Sequence, residues 1–569
     1  MIIQALNDYY NRLKDREDIP AYGFSSQKFR FAIVLSRQGE CVQVNDIREM
    51  QTKNLGPRVL IVPKKLEERA GAMIDPHFMW DNTTYVLGRD NKDKPERALK
   101  AFEAFKKLHH EIGDGLDDEG MKALLCFLDA WDPENSPEME YWNEMVGLNI
   151  AFQLDGDLNY IHEREIIQDT WLKYLKTTEE EIIKMCLASG EHTAIARIHP
   201  AIKGVRGAKS KGAALVSFNI DSAVSYGKTQ GLNAPVSTKI AFAYTTILNY
   251  LLSFKSNQKV GIGNATTVFW TERESAIEGF MGAILSPSVD KEGDLKEVRD
   301  FLEAVRDGSS IPEIEKDENV KFFILSLSPN AARTSARFWD VRTVKEVIEK
   351  LKQHFDDLCI VKEYENNPEF PGVWQILRET AAQGKLKNIN PLLSGALTRS
   401  ILTGGLYPQM LLSSVITRIR ADKKINYLRA AIIKACITRN NRINNRIVEV
   451  SVNLNTEMTS VGYRLGRLFA LLEKAQKDAI PGAKATIKDR LFSSAATTPR
   501  AIFPRLLKLG QHHIKKAKFG VLIDRDIENV MKDIAEFPVC LNIEEQGLFI
   551  LGYYHQRNVQ FQKKSKETQ

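Results

Sequence analysis

The residues best suited to chemistry lie in the segment ARIHPAIKGVRGAKSKGAALVSFN, residues 196–219. Between Thr193 and Ser217 the chain carries Arg197, Lys203, Arg206, Lys209 and Lys211 among Gly204, Gly207 and Gly212, with no acid. Glycines let a backbone approach a phosphate closely, and Lys, Arg and Ser210 supply charge and hydrogen bonds, so the segment suits a loop gripping a nucleic-acid backbone or groove. It resembles a P-loop only superficially. That motif needs Gly, four residues, then Gly-Lys-Ser/Thr, and here Ala208 separates Gly207 from Lys209, so nucleotide hydrolysis at this place is rejected. GVRG also matches the GXXG loop of KH domains, but four residues recur by chance. An exposed glycine-rich turn with no ligand is the plain alternative.

A second basic feature lies further along. Arg418, Arg420, Lys423, Lys424, Arg429, Lys434, Arg439, Arg442 and Arg446 stand among Ile, Leu and Ala, with Asp422 the only acid. Arg439, Arg442 and Arg446 step by three and four and so share one helical face; Arg464, Arg467 and Lys474, stepping by three and seven, also share one. Such rows can track a phosphate chain without reading sequence. The whole chain nets +6, yet residues 381–569 hold 31 Lys and Arg against 14 Asp and Glu, which leaves the remainder at −11. A single basic helix reads most simply as a solvated face; over this length a polyanion, nucleic acid, is the better reading.

Catalytic constellations are weak by comparison. His109 and His110, like His512 and His513, are adjacent and point apart on a helix, and His192 and His199 are seven residues apart across an irregular stretch. Asp155 and Asp157, and the IDRD run at 523–526, pair acids without a third partner, so a metal nuclease is the enzymatic alternative but not the preferred one. GxSxG and HExxH do not occur, and GIGN at 261–264 is a lone GxG. The expectation is a protein without catalytic residues, metal or cofactor.

The elements that must position these residues follow from length and pattern. At 569 residues the prior is three or four domains, and 43% hydrophobic with 27% charged residues is a globular composition. No apolar run approaches the roughly 18 residues that span a bilayer, and MIIQALNDYY lacks a basic leader region, so a cytoplasmic protein is expected. Six cysteines lie far apart with no CxxC and read as buried thiols of a reducing compartment. Residues 2–14 have amphipathic helical spacing. FRFAIVL and CVQVNDI predict a hairpin; RVLIVP, TTYVLG and NIAFQLDGD predict further strands. AALVSFN, ATTVFW and KFFILSLSP, alternating with helices at 237–252 and in VKEVIEKLKQHFDD, predict an α/β segment. Past Pro371 helices prevail, with FPVCLNI and GLFILGYY the only strand-like runs. Val461, Leu465, Leu468, Leu472 and Ala475 step by four and three, as in a packed seam. The predicted fold is α+β and multidomain: a β-rich unit at 1–95, a mixed α/β region at 96–370 with the Gly/Lys loop, and a basic helical bundle at 371–569.

Several blocks, in order along essentially the whole chain, resemble a known family. They include IIQALNDYYNRL, FAIVLSRQGECVQV, ARIHPAIKGVRGAKSKGAALVSFN, GLNAPVSTKIAFAYTTILNYLL, LSPNAARTSARFW, SGALTRSILTGGLYPQMLLSSVITRIRADKKINYLRAAIIKA, ATIKDRLFSSAATTPRAIFP and GYYHQR. Together they are similar to the large subunit of the type I-C CRISPR surveillance complex, Cascade. The resemblance implies a non-catalytic, RNA-guided DNA-binding role. In that family the large subunit sits beside the CRISPR RNA handle with the backbone and handle-binding subunits. It recognises the protospacer-adjacent motif in duplex DNA, helps form the R-loop and docks a helicase-nuclease; pairing with the guide reads the remaining sequence.

The resemblance also implies that the C-terminal part is like the complex's small subunit, a helical bundle lining the displaced strand, and that it can arise separately by internal initiation. Met458 would start such a product of 112 residues, with apolar faces that could pack on one another. On this reading Lys203, Arg206, Lys209, Ser210 and Lys211 contact target duplex, Gln230 and Asn233 are candidates for base-edge hydrogen bonds, and Arg439, Arg442, Arg446, Arg464 and Arg467 track the displaced strand. A structural scaffold of a ribonucleoprotein remains the other alternative.

Overall fold

A computed structural model describes residues 1–16, 19–51, 54–65, 73–90, 94–178, 182–254, 256–262, 265–285, 300–301, 303–304, 316–331, 333–446 and 450–567. The chain divides into two units, one of Met1–Pro200 with Val216–Tyr250, the other of Ala201–Leu215 with Leu251–Gln569. The fold class is as expected, α+β with sheets in the first part and a helical C-terminal region.

In the first unit, helix α1 (Ile2–Leu13) buries Leu6, Tyr9 and Tyr10 on one face. Strand β1 (Phe24–Phe29) pairs with β6 (Arg58–Pro63), and β4 (Glu49–Gln51) with β5 (Asn54–Gly56). The predicted hairpin is β2 (Phe31–Leu35) and β3 (Cys41–Asp46), and it joins β7 (Trp80–Asn82) and β8 (Asn149–Leu154) in the order β3-β2-β8-β7. All five residues of β2 are buried, as FAIVL must be when both faces of a strand are covered. Because β8 runs parallel to β2, with Phe31 opposite Ile150, the sheet takes a strand from beyond the boundary expected at residue 95. TTYVLG is not a strand. Asn82 Oδ1 accepts from Thr84 N at 3.0 Å and caps a short helix, α2 (Thr83–Val86), so the local cap outweighs β propensity. Helices α3 (Pro95–Gly113), α4 (Glu119–Ala130), α5 (Trp142–Met145) and α6 (Glu165–Thr178) follow, and Phe102, Phe105, Leu124, Phe127 and Trp171 pack with β2 and β8 in one core. The unit is completed by β9 (Ile183–Met185) with β10 (His192–Ala194), and by α7 (Thr238–Leu251).

The second unit contains an antiparallel sheet, β11 (Lys259–Ile262), β12 (Ala265–Thr271), β13 (Lys321–Asn330) and β14 (Arg333–Thr343), in chain order, with α8 (Ile277–Leu285) between β12 and β13. AALVSFN is not one of its strands; of that run only Ala213 and Ala214 make isolated bridges, to Ile202 and Arg333. Helix α9 (Val344–Leu358) opens on a Thr343/Glu346 capping box. After it come α10 (Val373–Arg378), α11 (Pro391–Thr403), α12 (Gln409–Asp422), α13 (Tyr427–Ile443), α14 (Val461–Ala479), α15 (Ile487–Thr497), α16 (Pro499–Ile514), α17 (Gly520–Met531) and α18 (Ile543–Glu567). FPVCLNI is irregular apart from its last residue, and GLFILGYY is helical, inside α18, with Leu548 to Leu551 all buried.

The predicted seam holds: Leu465, Leu468, Leu472 and Ala475 are buried. Its partner is α18, and the approach is close because Gly462 and Gly466 on α14 meet the backbone at Glu545 and Phe549, while Gly552 on α18 meets the Tyr463 carbonyl. One core runs from Val260 on the sheet to Tyr554, across the boundary expected at 370. The segment from Met458 is not self-contained within it. Gly547 packs under Ile433 and Ile437, and Tyr554 Oη donates to Val361 O at 2.8 Å, so α18 packs on upstream elements as well as on α14. Among the described residues no helix is long and apolar enough to cross a membrane. Cys186 and Cys436 are buried as expected, whereas Cys126, Cys359 and Cys540 are exposed.

Candidate nucleic-acid interface

The Gly/Lys segment forms a closed loop in the second unit. Ile202 and Ala213 exchange two backbone hydrogen bonds of 3.0 Å at its neck, and Ile202, Val205 and Ala213 are buried anchors. Between them Lys203, Arg206, Lys209, Ser210 and Lys211 are all exposed, so alternation of apolar and basic residues sends every cation outward. The glycines are obligatory at two corners. Gly204 and Gly212 sit at φ +86° and +87°, and a Cβ there would meet the carbonyl oxygens of Leu252 and Ile202 at 2.8 and 2.7 Å. The loop is tied to the sheet: Arg206 N donates to Thr266 Oγ1 on β12 at 3.0 Å, and Thr334 N on β14 to Ala214 O at 3.0 Å. The Arg206 guanidinium lies 5.9 Å from the Trp374 ring centre.

Sequence reading missed Arg337. The β13–β14 register shifts between Ser326 and Leu327, where Phe338 and Ala336 are the partners, so Arg337 is an extra residue that the ladder skips. A bulge of this kind re-aims a side chain. Arg337 is exposed and its Nε donates to Ser328 Oγ at 2.6 Å. Nothing in SARFW announces a bulge.

Gln230 and Asn233 belong to the first unit. Asn233 is no free base reader: its Oδ1 accepts from Ser225 N at 3.3 Å, and its Nδ2 donates to the carbonyls of Lys228 and Gln230 at 2.9 and 3.1 Å. These bonds hold a turn in which Tyr226, Gly227 and Gln230 all have positive φ.

Burial divides the predicted arginine row: Arg439 and Arg467 are buried, whereas Arg442 and Arg446 are exposed but ion-paired. Arg439 is 0% exposed; its Nε donates to Asp357 Oδ2 at 2.7 Å, its Nη1 to Ser400 O at 3.0 Å, and its guanidinium covers the Tyr407 ring at 4.0 Å. Arg442 is half-exposed and binds the same carboxylate at 2.7 Å. Arg446 pairs with Glu544 at 2.9 Å. Arg464 donates to the carbonyls of Met458 and Asp533, and Arg467, buried, to Gln556 Oε1 at 3.1 Å. The interior around Arg439 is poorly polar: burial pushes the Cys436 thiol up to about 12 and holds His354 well below the usual imidazole range. These cations brace helices.

The exposed row is elsewhere. On α16, Pro499, Phe503, Leu506 and Gly510 face inward. Arg505, Lys508 and His512, spaced by three and four and followed by Lys515 and Lys516, face solvent, and none of them pairs with a carboxylate among the described residues. The signal was legible: between Arg490 and Asp524 the sequence contains no acid.

The candidate catalytic groups do not converge. Asp157 Oδ2 accepts from Arg164 at 2.6 Å, and the same guanidinium reaches Asp118 at 2.5 Å, while Asp155 is exposed. His192 is exposed on β10, whereas His199 is buried against Tyr244 Oη at 2.7 Å and held at about 4 by burial. His109 is buried; His110 bridges Asp114 and Asp129. Among the described residues no three His, Cys, Asp or Glu side chains come together as a metal site would require.

No curated protein matches the sequence. A family model described as CRISPR-associated protein (Cas_Csd1) matches residues 6–561. Basic loop, basic helix row and polar groups engaged within the fold thus occur in a chain matched almost from end to end, which belongs to the Cas_Csd1 family of CRISPR-associated proteins.

Proposed function

We propose that this chain is the large subunit of a type I-C Cascade complex, a non-catalytic component that binds target DNA under the direction of CRISPR RNA. In this reading it recognises the protospacer-adjacent motif in duplex DNA, promotes R-loop formation and offers a docking surface to the helicase-nuclease. The observation that carries the proposal is the loop at 202–213. Four cations and a serine stand on a backbone fixed at its neck, with glycines where a side chain would collide. Such a fixed, acid-free array suits phosphates of a duplex. Displaced-strand binding is reassigned from the Arg439 group to Arg505, Lys508, Lys515 and Lys516, whose charges are exposed.

The test is made on complex assembled with guide RNA. Lys203→Ala, Arg206→Ala and Lys209→Ala together are expected to leave assembly intact and weaken target-duplex binding, with the salt slope falling by roughly 0.9 for each phosphate no longer neutralised. Unchanged duplex affinity in the assembled triple variant would refute the assignment. Charge reversal at Arg505, Lys508 and Lys515 addresses the other surface: it should reduce retention of the displaced strand more than discrimination among adjacent motifs.

A further inference from the structure

A small cleft opens on the second unit where the end of α12 meets α15, with a volume of about 110 Å³. Its floor is apolar, formed by Ile419, Ile425 and Phe492, all buried. Its walls carry three cations, Lys423, Lys488 and Arg490. None of the three has a carboxylate within ion-pairing distance among the described residues, which contrasts with Arg418 and Arg429 close by in sequence, both paired to Asp422. Asp489 also lines the cleft, but its Oδ2 accepts from Thr486 N at 2.8 Å and Thr486 Oγ1 at 3.2 Å in the capping box that starts α15. Three cations thus face one engaged carboxylate.

Holding like charges together at a partly buried place is unfavourable unless an anion joins them. Lys488 is the half-buried member of the three: burial, followed by the charge of Arg557 outside the cleft, holds its ammonium below the ordinary lysine range, and its Nζ lies 5.8 Å from the Tyr553 ring centre. We infer that this cleft binds a phosphate group, and that the phosphate belongs to the backbone of a nucleic-acid strand. Two features favour a strand over a free nucleotide. The cleft has room for a phosphate but offers no exposed aromatic side chain on which a base could stack, Phe492 being 6% exposed in the floor. Lys423 and Arg490 are exposed, so a polyanion could continue beyond the cleft in contact with cations. Contact of this kind is independent of base sequence. The inference rests on the nucleic-acid role proposed above and adds a site to it.

The experiment uses the full-length chain, a fluorescein-labelled oligothymidylate and anisotropy titrations between about 50 and 200 mM salt. Lys423→Ala with Arg490→Ala, and separately Lys488→Gln, are compared with the Lys203→Ala/Arg206→Ala/Lys209→Ala loop variant, and melting temperature monitors the fold. Each phosphate neutralised on a single strand contributes about 0.7 to the salt slope, so each one given up should remove roughly 2.6-fold of the affinity change across that salt range. The expected result is a weaker, flatter titration for both cleft variants with melting unchanged. Wild-type affinity and slope in both variants, with the loop variant impaired, would overturn the cleft while leaving the functional reading in place. Millimolar inorganic phosphate that raises the wild-type but not the variant melting temperature, with oligonucleotide binding unaltered, would also overturn it, because the ligand would then be a free anion. A wild-type chain that binds no oligonucleotide would bring down both this inference and the reading beneath it.

Discussion

Asp357 sits between two arginines, and its removal should be the most damaging single change in the bundle. Both Asp357 and Arg439 are 0% exposed, and the carboxylate accepts from Arg439 Nε at 2.7 Å and from Arg442 Nη1 and Nη2 at 2.7 and 3.0 Å. Breaking a buried pair by deleting one partner costs about 3–5 kcal/mol, since the survivor is left charged without water. Asp357→Ala strands two cations and belongs at the upper end, about 5 kcal/mol. Arg439→Ala leaves Arg442 to neutralise Asp357, which places it near about 3 kcal/mol. Arg446→Ala removes only an exposed pair and should cost about 0–1 kcal/mol. At about 1.4 kcal/mol per tenfold, the first two raise local opening by roughly two to three and a half decades. Amide hydrogen exchange of peptides from α13 reads that opening directly, without assuming that a chain of two units unfolds in one step. Exchange protection preserved across α13 in Arg439→Ala, together with abolished nucleic-acid binding, would refute the bracing role, for then Arg439 would be a ligand-facing residue.

Two further outcomes follow from packing and protonation. Gly466→Ala should cost about 1–3 kcal/mol or more and speed exchange in α18, because the new methyl falls on the Phe549 carbonyl; Gly395→Ala on α11, where nothing lies within 4 Å, should be neutral or stabilising by up to about 1 kcal/mol. His109 is buried with Nε2 accepting from Met79 N at 2.9 Å, and burial lowers it from 6.5 to about 4. The unfolded chain therefore takes up the proton first: stability is full above pH 6.5, falls by about 1.4 kcal/mol per pH unit below it, and levels near pH 4. His109→Gln should flatten that decline in acid-unfolding curves of the first unit, and an unaltered slope would contradict the assignment.

What could be read from the sequence was periodicity; what could not was pairing between distant segments. FAIVL and CVQVND are separated by only five residues, and the hairpin is where local alternation places it. That β8 would insert beside β2 depends on residues more than a hundred positions apart, and no local pattern encodes it. The same limit explains GLFILGYY. An apolar run of about eight residues fits a buried strand or a buried helix equally well, and the choice is made by Gly462, Gly466 and Gly552, which let two helices close on each other. The loop was legible because its message is compositional, and Gly204, Gly207 and Gly212 all take the positive φ that glycine alone adopts readily. The engagement of Asn233 was not legible, because an amide near a turn is as apt to bond its own backbone as a base.

The division of the basic residues into braces and an exposed row follows from a rule that the sequence also contained. In helix α13, YLRAAIIKACITRNNRI, the apolar residues are spread around the helix and not confined to one stripe, and residues 429–437 are all buried. Its cations are then forced into the core, where each needs partners: Arg429 takes Glu379 and Asp422, Lys434 the Asp357 carbonyl, Arg439 the Asp357 carboxylate. Helix α16 has instead one apolar stripe, and the cations opposite it remain in water, without carboxylate partners among the described residues. Counting charges ranks α13 and α16 alike, whereas asking whether the apolar residues leave a polar face separates them. For a polyanion the distinction decides function, because a guanidinium already bonded to a buried carboxylate would have to leave it, at a cost of several kcal/mol, before it could hold a phosphate. The exposed Arg505 and Lys508 of α16, Lys515 and Lys516 just beyond it, and the cations of the cleft face no such cost, which is why strand binding is proposed for them and structural bracing for Arg439.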